Sequence, residues 1–102
     1  MKMRKYEMMV IFRPELSDEE LDAQENLLKE SVESKGGKWI ETVKWGKRKF
    51  AYPIMKLTEG YYYIYYFYLP GSEVLNLKNE IKLNDKILRF MIVRKEEKRS
   101  VQ

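Results

Sequence analysis

An almost continuous aromatic run follows Gly60 and limits the folds that are open to this chain. It reads YYYIYYFYL from residue 61 to residue 69 and holds six of the eight tyrosines. Successive side chains of a β-strand point to opposite faces of the sheet, so a strand with aromatic residues at both odd and even positions must use both of its faces. We therefore expect one face to lie in a core and the other to be covered or used for recognition.

Strand parity divides this run between the two faces. Phe67 and Leu69 have no hydroxyl to satisfy, and a buried unpaired hydroxyl costs about 1 to 3 kcal/mol, which favours the register that buries these two side chains. Tyr63 and Tyr65 then join them in the core. The open face carries the opposite parity, together with its neighbours on the adjacent strands: Met9, Ile11, Tyr62, Ile64, Tyr66, Tyr68, Met91 and Val93. Because a monomer rarely exposes so large an apolar face, we expect a protein partner to cover it.

The remaining patterns predict the element order strand, helix, strand, strand, helix, strand. Apolar residues at the even positions of 6–12 indicate a strand with one buried face. A capping box of Ser17 and Glu20 begins a helix that runs to about Lys35, and two glycines end it. Pro53 places the second strand at a sheet edge or in a long hairpin arm, with the turn expected near residues 58–60. Ser72 is expected to cap the second helix, and the last strand covers residues 87–93.

This order is typical of an α+β, ferredoxin-like split βαβ fold (β-α-β-β-α-β), in which a four-stranded antiparallel sheet carries two helices on one face. We predict a single domain over residues 3–95, followed by a charged flexible tail over residues 96–102. The chain has 102 residues, which fits one domain. Its longest apolar run is too short to span a bilayer and no signal peptide is evident, so the expected location is the cytoplasm.

Composition argues against an enzyme. The chain contains neither histidine nor cysteine, the commonest general base and the commonest thiol nucleophile. It also has no glycine loop of the kind that cradles phosphates. We therefore expect no catalytic residue, no metal, no cofactor and no small-molecule substrate.

Charge favours a polyanionic partner. Twenty Lys and Arg residues against sixteen Asp and Glu give a net charge of +4. Basic residues at the strand ends and in the hairpin are suited to phosphate contacts. Two alternatives stay open at this point: a single-strand RNA binder that stacks bases on Tyr61 and Tyr63, and a homo-oligomeric regulatory or ligand-binding module that pairs open sheet faces.

Four blocks of sequence also carry a family resemblance. They are MRKYE at residues 3–7, GKRKFAYPI at residues 46–54 with Lys56, GYY at residues 60–62 and NDKILRFMIV at residues 84–93. In their order and spacing these blocks resemble the family of the sixth protein of the bacterial small ribosomal subunit, over nearly the whole chain.

The resemblance implies a structural role in the cytoplasmic ribosome. It implies binding to the central domain of small-subunit ribosomal RNA together with the eighteenth protein of that subunit, as a heterodimer, during assembly of the platform. The matching positions expected to contact RNA or the protein partner are Arg4, Tyr6, Lys47, Arg48, Tyr52, Lys56, Arg89 and Arg94.

Overall fold

A computed structural model describes residues 2–95, which form one antiparallel sheet with two helices on one face. The elements are β1 (Met3–Phe12), α1 (Asp18–Ser34), β2 (Lys38–Ile54), β3 (Leu57–Pro70), a 3-10 turn (Gly71–Glu73), α2 (Val74–Lys82) and β4 (Ile87–Lys95). The strands lie in the order β2-β3-β1-β4. This architecture confirms the predicted ferredoxin-like fold. The predicted tail over residues 96–102 lies outside the described residues.

The register between β1 and β3 fixes which side of the aromatic run is buried. Met8 pairs with Tyr65, and both side chains are fully buried on the helix side. The next pair, Met9 with Ile64, lies on the open side. The predicted division of the run is therefore confirmed. The alternative in which Tyr61 and Tyr63 stack RNA bases is wrong, because both side chains pack into or against the core beneath the helices.

The first helix begins and ends where the sequence indicated. The Ser17 hydroxyl accepts a hydrogen bond from the Glu20 amide at 3.1 Å, and the Ser17 amide donates to the Glu20 carboxylate at 2.9 Å. These two bonds satisfy amides that a helix start leaves unpaired. After the helix, Gly36 takes a φ of +87°, a conformation that glycine adopts without steric cost. The buried stripe of α1 contains Leu21, Gln24, Leu28 and Val32.

The hairpin between β2 and β3 extends further than the sequence suggested. Its two-residue turn lies at Met55 and Lys56, with φ of 51° and 67°, and not near residues 58–60. Gly60 instead lies inside β3, where a Cβ would come within 2.7 Å of the Phe12 carbonyl oxygen. The long arm therefore continues past the body of the sheet. Pro53 lies in this arm on the edge strand, as predicted.

Two local details also differ from the sequence prediction. The regular part of α2 begins at Val74 with Glu73 at the N-cap, so Ser72 belongs to the preceding 3-10 turn and not to the N-cap of α2. The buried Gln24 of α1 accepts a hydrogen bond from the Asn84 side chain at 2.6 Å, which links α1 to the loop before β4. Both helices lie on one side of the sheet, where their buried residues join one core cluster, and no helix of residues 2–95 covers the other side.

Candidate nucleic-acid and protein interfaces

Five cations lie where β1 begins and β4 ends, and three of them line both of the clefts found there. Lys2, Arg4 and Arg94 line two adjoining clefts of about 430 and 380 Å³. We call this region the basic cleft, and its full lining is Lys2, Met3, Arg4, Lys5, Tyr6, Tyr68, Gly71, Ser72, Arg94 and Lys95. No carboxylate of residues 2–95 lines either part, so the cleft has a strongly positive character.

The glycine that begins the 3-10 turn allows one of these cations to lie close to the backbone. A Cβ at Gly71 would be 3.2 Å from Nε of Arg4 and 3.7 Å from the Tyr6 hydroxyl oxygen. Arg4 therefore lies across the start of the turn, beside the largely buried Tyr6. Arg94 of β4 pairs in register with Tyr6 of β1, so it lies next to Tyr6 in the same cleft. Three of the predicted contact residues are thus brought together.

The other predicted contact residues are distributed over the opposite end of the molecule. Lys47 lies over the ring of Tyr61 at 5.0 Å, on the helix side of the sheet. Arg89 pairs in register with Ile11, on the open side. Tyr52 is 81% exposed in the hairpin arm, and the exposed Lys56 completes the arm's turn. The predicted set therefore forms a basic cleft at one end and a separate group of exposed side chains at the hairpin end.

The open face is less uniform than strand parity indicated. Met91 and Val93 on β4 are 53% and 42% exposed, so they are available to a partner. Ile11 and Ile64 lie on the same face but are already buried within the monomer, at 6% and 7% exposure. The four remaining predicted open-face residues are half-buried: Met9, Tyr62, Tyr66 and Tyr68.

An aromatic cluster on this face was missed by the sequence reasoning. Trp45 stacks on Tyr62 with ring centroids 6.4 Å apart and planes 16° from parallel. The guanidinium of Arg48 lies 5.4 Å from the Trp45 ring, and the Phe50 ring lies 6.1 Å from that of Tyr62. Tryptophan, tyrosine and arginine are the residue types that carry most binding energy at protein interfaces. The register shift around Gly46 breaks the alternation of β2, so the face of Trp45 could not be counted from the sequence.

Three interacting polar side chains, Glu7, Tyr66 and Lys95, border the apolar part of the open face. The Tyr66 hydroxyl donates a hydrogen bond to Glu7 at 3.3 Å, and Lys95 pairs with the same carboxylate at 3.2 Å. Burial and the neighbouring Glu7 charge raise the pKa of the Tyr66 hydroxyl. The phenol is therefore held as a neutral hydrogen-bond donor.

The fold and these surfaces define a class of protein. Within residues 2–95 no helix has the length and apolar character needed to cross a membrane. The same residues contain no group of three acidic, histidine or cysteine side chains placed to hold a metal ion. The bare sheet face and the basic cleft are the two candidate binding surfaces of the described residues. By its fold, the chain belongs to the class of ferredoxin-like α+β domains.

Comparison with known proteins specifies the family. The model of the ribosomal protein S6 family matches residues 5–94. Small ribosomal subunit protein bS6 of Desulforamulus reducens is 40% identical over 93% of this chain and 100% of its own length. The corresponding protein of Nitratiruptor is 37% identical over 97% of this chain and 77% of its own. The crystal structure of 30S ribosomal protein S6 from Thermotoga maritima superposes with a TM-score of 0.86 at 34% identity, covering 92% of this chain and 89% of that one.

The chain belongs to the ribosomal protein S6 family. Its role is that of a structural ribosomal protein of the small subunit, and the expectation that it is not an enzyme is confirmed by the family. Its place in the bacterial cell is the cytoplasmic ribosome.

Proposed function

We propose that this chain binds the central domain of small-subunit ribosomal RNA through the basic cleft while the eighteenth protein of the subunit occupies its open face. The observation that carries the RNA half is the convergence of Lys2, Arg4 and Arg94 on clefts that no described carboxylate lines. Arginine binds phosphate oxygens through two parallel N–H donors, which favours these side chains as phosphate ligands. Such contacts orient a protein on RNA without reading its bases.

The salt dependence of RNA binding tests this assignment. The double substitution Arg4→Gln and Arg94→Gln removes two cations from the cleft. Each lost phosphate contact lowers the slope of log K against log salt by about 0.7 to 0.9, so the slope should fall by about 1.4 to 1.8. Binding to a transcript of the central domain is measured from low to physiological salt, with the eighteenth protein present in both series.

A matched control separates a specific cleft from general charge. Lys29→Gln with Lys82→Gln removes the same two charges from exposed positions on α1 and α2. This control should keep the slope of the unmodified chain within about 0.5. Equal slopes for the two double variants would refute the basic cleft as the phosphate-binding surface.

The protein half of the proposal rests on exposed apolar side chains beside the aromatic cluster. Met91 and Val93 present apolar surface, and Trp45 remains 46% exposed although Arg48 and Tyr62 flank its ring. A rigid aromatic group of this kind loses little conformational entropy when a partner covers it. We infer that the eighteenth protein contacts this part of the open face.

Binding of the two purified proteins tests the second surface. Val93→Glu places a charge on the proposed interface and should weaken the heterodimer by about tenfold or more. Leu83→Glu is the control, because Leu83 is an exposed apolar residue away from the open face, at the C-cap of α2. If both variants bind the partner as well as the unmodified chain, or if the chain alone forms a tight dimer through this face, the assignment fails.

A further inference from the structure

The outer edge of β4 is the more continuous of the two edges of the sheet. The register of β4 with β1 runs from Lys5 with Lys95 to Phe12 with Ile87 and shifts only at its last step, and no other strand of residues 2–95 pairs with β4. The opposite edge, β2, is interrupted by several register shifts and by Pro53. Bulges and proline protect a sheet edge from further pairing. The β4 edge lacks both along most of its length.

A groove runs beside this edge. It has a volume of about 330 Å³ and lies between the end of α2 and the first half of β4. Its lining is Ile81, Lys82, Ile87, Leu88, Arg89 and Phe90. A strand added to a sheet edge gains affinity from main-chain hydrogen bonds and specificity from pockets that accept alternate side chains. The groove offers such a pocket next to the unpaired backbone edge.

The charge of β4 indicates what kind of strand could be added to its edge. β4 carries Arg89, Arg94 and Lys95 and no acidic residue. Lys82 stands in the groove, and Lys86 directly precedes β4. Antiparallel pairing of two β4 strands would bring these cations together, which destabilises cross-strand pairs. A segment that bears carboxylates would instead complement the edge along its length.

We propose that the outer edge of β4 binds an extended, acidic peptide segment of another protein by β-strand addition. The peptide pairs with the β4 backbone and places its apolar side chains in the groove on the helix side. Its carboxylates then lie on the open side with Arg89, and Lys82 adds to the positive field at this edge. The groove and the β4 edge from residue 87 to residue 93 lie outside the basic cleft, which takes only Arg94 and Lys95 from β4. Peptide binding at the groove is therefore separate from RNA binding at the cleft.

A synthetic strand provides the probe. We would titrate the nitrogen-15-labelled chain with a capped octapeptide of alternating glutamate and valine and follow the backbone amides by NMR. The expected result is a set of shift changes concentrated in residues 87–95 and near Ile81, with binding that weakens as salt rises. A second peptide, N-methylated at alternate amides, cannot form the main-chain bonds and should bind at least about tenfold more weakly.

A pair of substitutions tests the charge complementarity. Lys82→Glu reverses a charge in the groove and should weaken binding of the octapeptide by about threefold or more. Lys29→Glu makes the same change on the exposed surface of α1 and should alter it less than twofold. Any of four results would overturn the proposal: equal binding of the N-methylated peptide, equal effects of the two substitutions, shift changes confined to other parts of the sheet, or self-pairing of β4 without peptide. A single-stranded oligonucleotide that binds the same amides more tightly than the peptide would also overturn it.

Discussion

The buried hydroxyl of Tyr65 leads to a prediction that separates ring packing from hydrogen bonding. Tyr65 is fully buried in the central strand, and its hydroxyl oxygen has no hydrogen-bond partner among residues 2–95. Its ring packs 5.0 Å from that of Trp39 and 5.9 Å from that of Tyr63. The substitution Tyr65→Phe keeps these ring contacts and removes only the unpaired group.

The magnitude follows from the cost of an unsatisfied hydroxyl. Such a group costs about 1 to 3 kcal/mol when it is buried, and part of this is offset by its van der Waals contacts. We therefore expect Tyr65→Phe to raise the free energy of unfolding by about 1 kcal/mol. For a domain of 60–100 residues this corresponds to an increase in Tm of about 4 to 8 °C.

The pH dependence gives an independent measurement. Burial, and then the nearby Glu25 charge, raise the pKa of Tyr65 well above its usual value. Because the folded chain retains this proton, the stability is complete below the ordinary tyrosine pKa of about 10 and decreases as the pH rises above it. One such tyrosine contributes a slope of up to about 1.4 kcal/mol per pH unit, so Tyr65→Phe should make the alkaline loss of stability less steep by that amount.

Urea unfolding at neutral pH and at several pH values above 10 would measure both effects. Tyr66→Phe is the control, because the Tyr66 hydroxyl donates a hydrogen bond to Glu7 and its loss should lower stability by about 0.5 to 1.5 kcal/mol. If Tyr65→Phe is destabilised as much as Tyr66→Phe, the Tyr65 hydroxyl is satisfied in the folded protein and the reasoning is refuted.

Two further predictions concern the hairpin. Gly60→Ala should lower the free energy of unfolding by about 1 to 3 kcal/mol, because the new Cβ would lie 2.7 Å from the Phe12 carbonyl oxygen and 2.9 Å from the Phe50 ring; thermal unfolding measures this, and an unchanged Tm would contradict it. The double substitution Met55→Asn and Lys56→Gly should raise stability by about 0.5 to 1 kcal/mol, because both positions have positive φ and this pair suits a type I′ turn; a lower urea midpoint would show that the turn is not strained.

The elements that could be predicted from sequence are those fixed by local chemistry. The alternation of side chains along each strand is enough to assign Met8 and Tyr65 to the buried face of the sheet, because every second residue points to the same face and one face must be buried. The capping box at Ser17 fixes the start of α1 through hydrogen bonds between residues only three apart. The order of the elements then leaves few topologies, and the ferredoxin-like arrangement is among them.

What the sequence could not reveal depends on long-range packing. Gly60 resembles a turn residue, but its role is to let the Phe50 ring approach the backbone of β3. Register shifts in β2 hide the position of Trp45 on the open face. The burial of Ile11 and Ile64 likewise depends on neighbours supplied by other strands. The convergence of Lys2 and Arg4 with Arg94 arises only when strands from opposite ends of the chain are paired.

The distribution of charge favours some directions of approach over others for a polyanion such as RNA. Helix α1 contains seven acidic residues and one lysine, and it covers the helix side of the sheet. Strand β2 contains five cations and one acid, and much of it belongs to the arm. A polyanion that approached α1 would be repelled, whereas the basic cleft and the hairpin end attract it from either end of the strands. The bare sheet face lies between these two attractive ends, so a basic protein partner on that face would join them into one continuous positive surface.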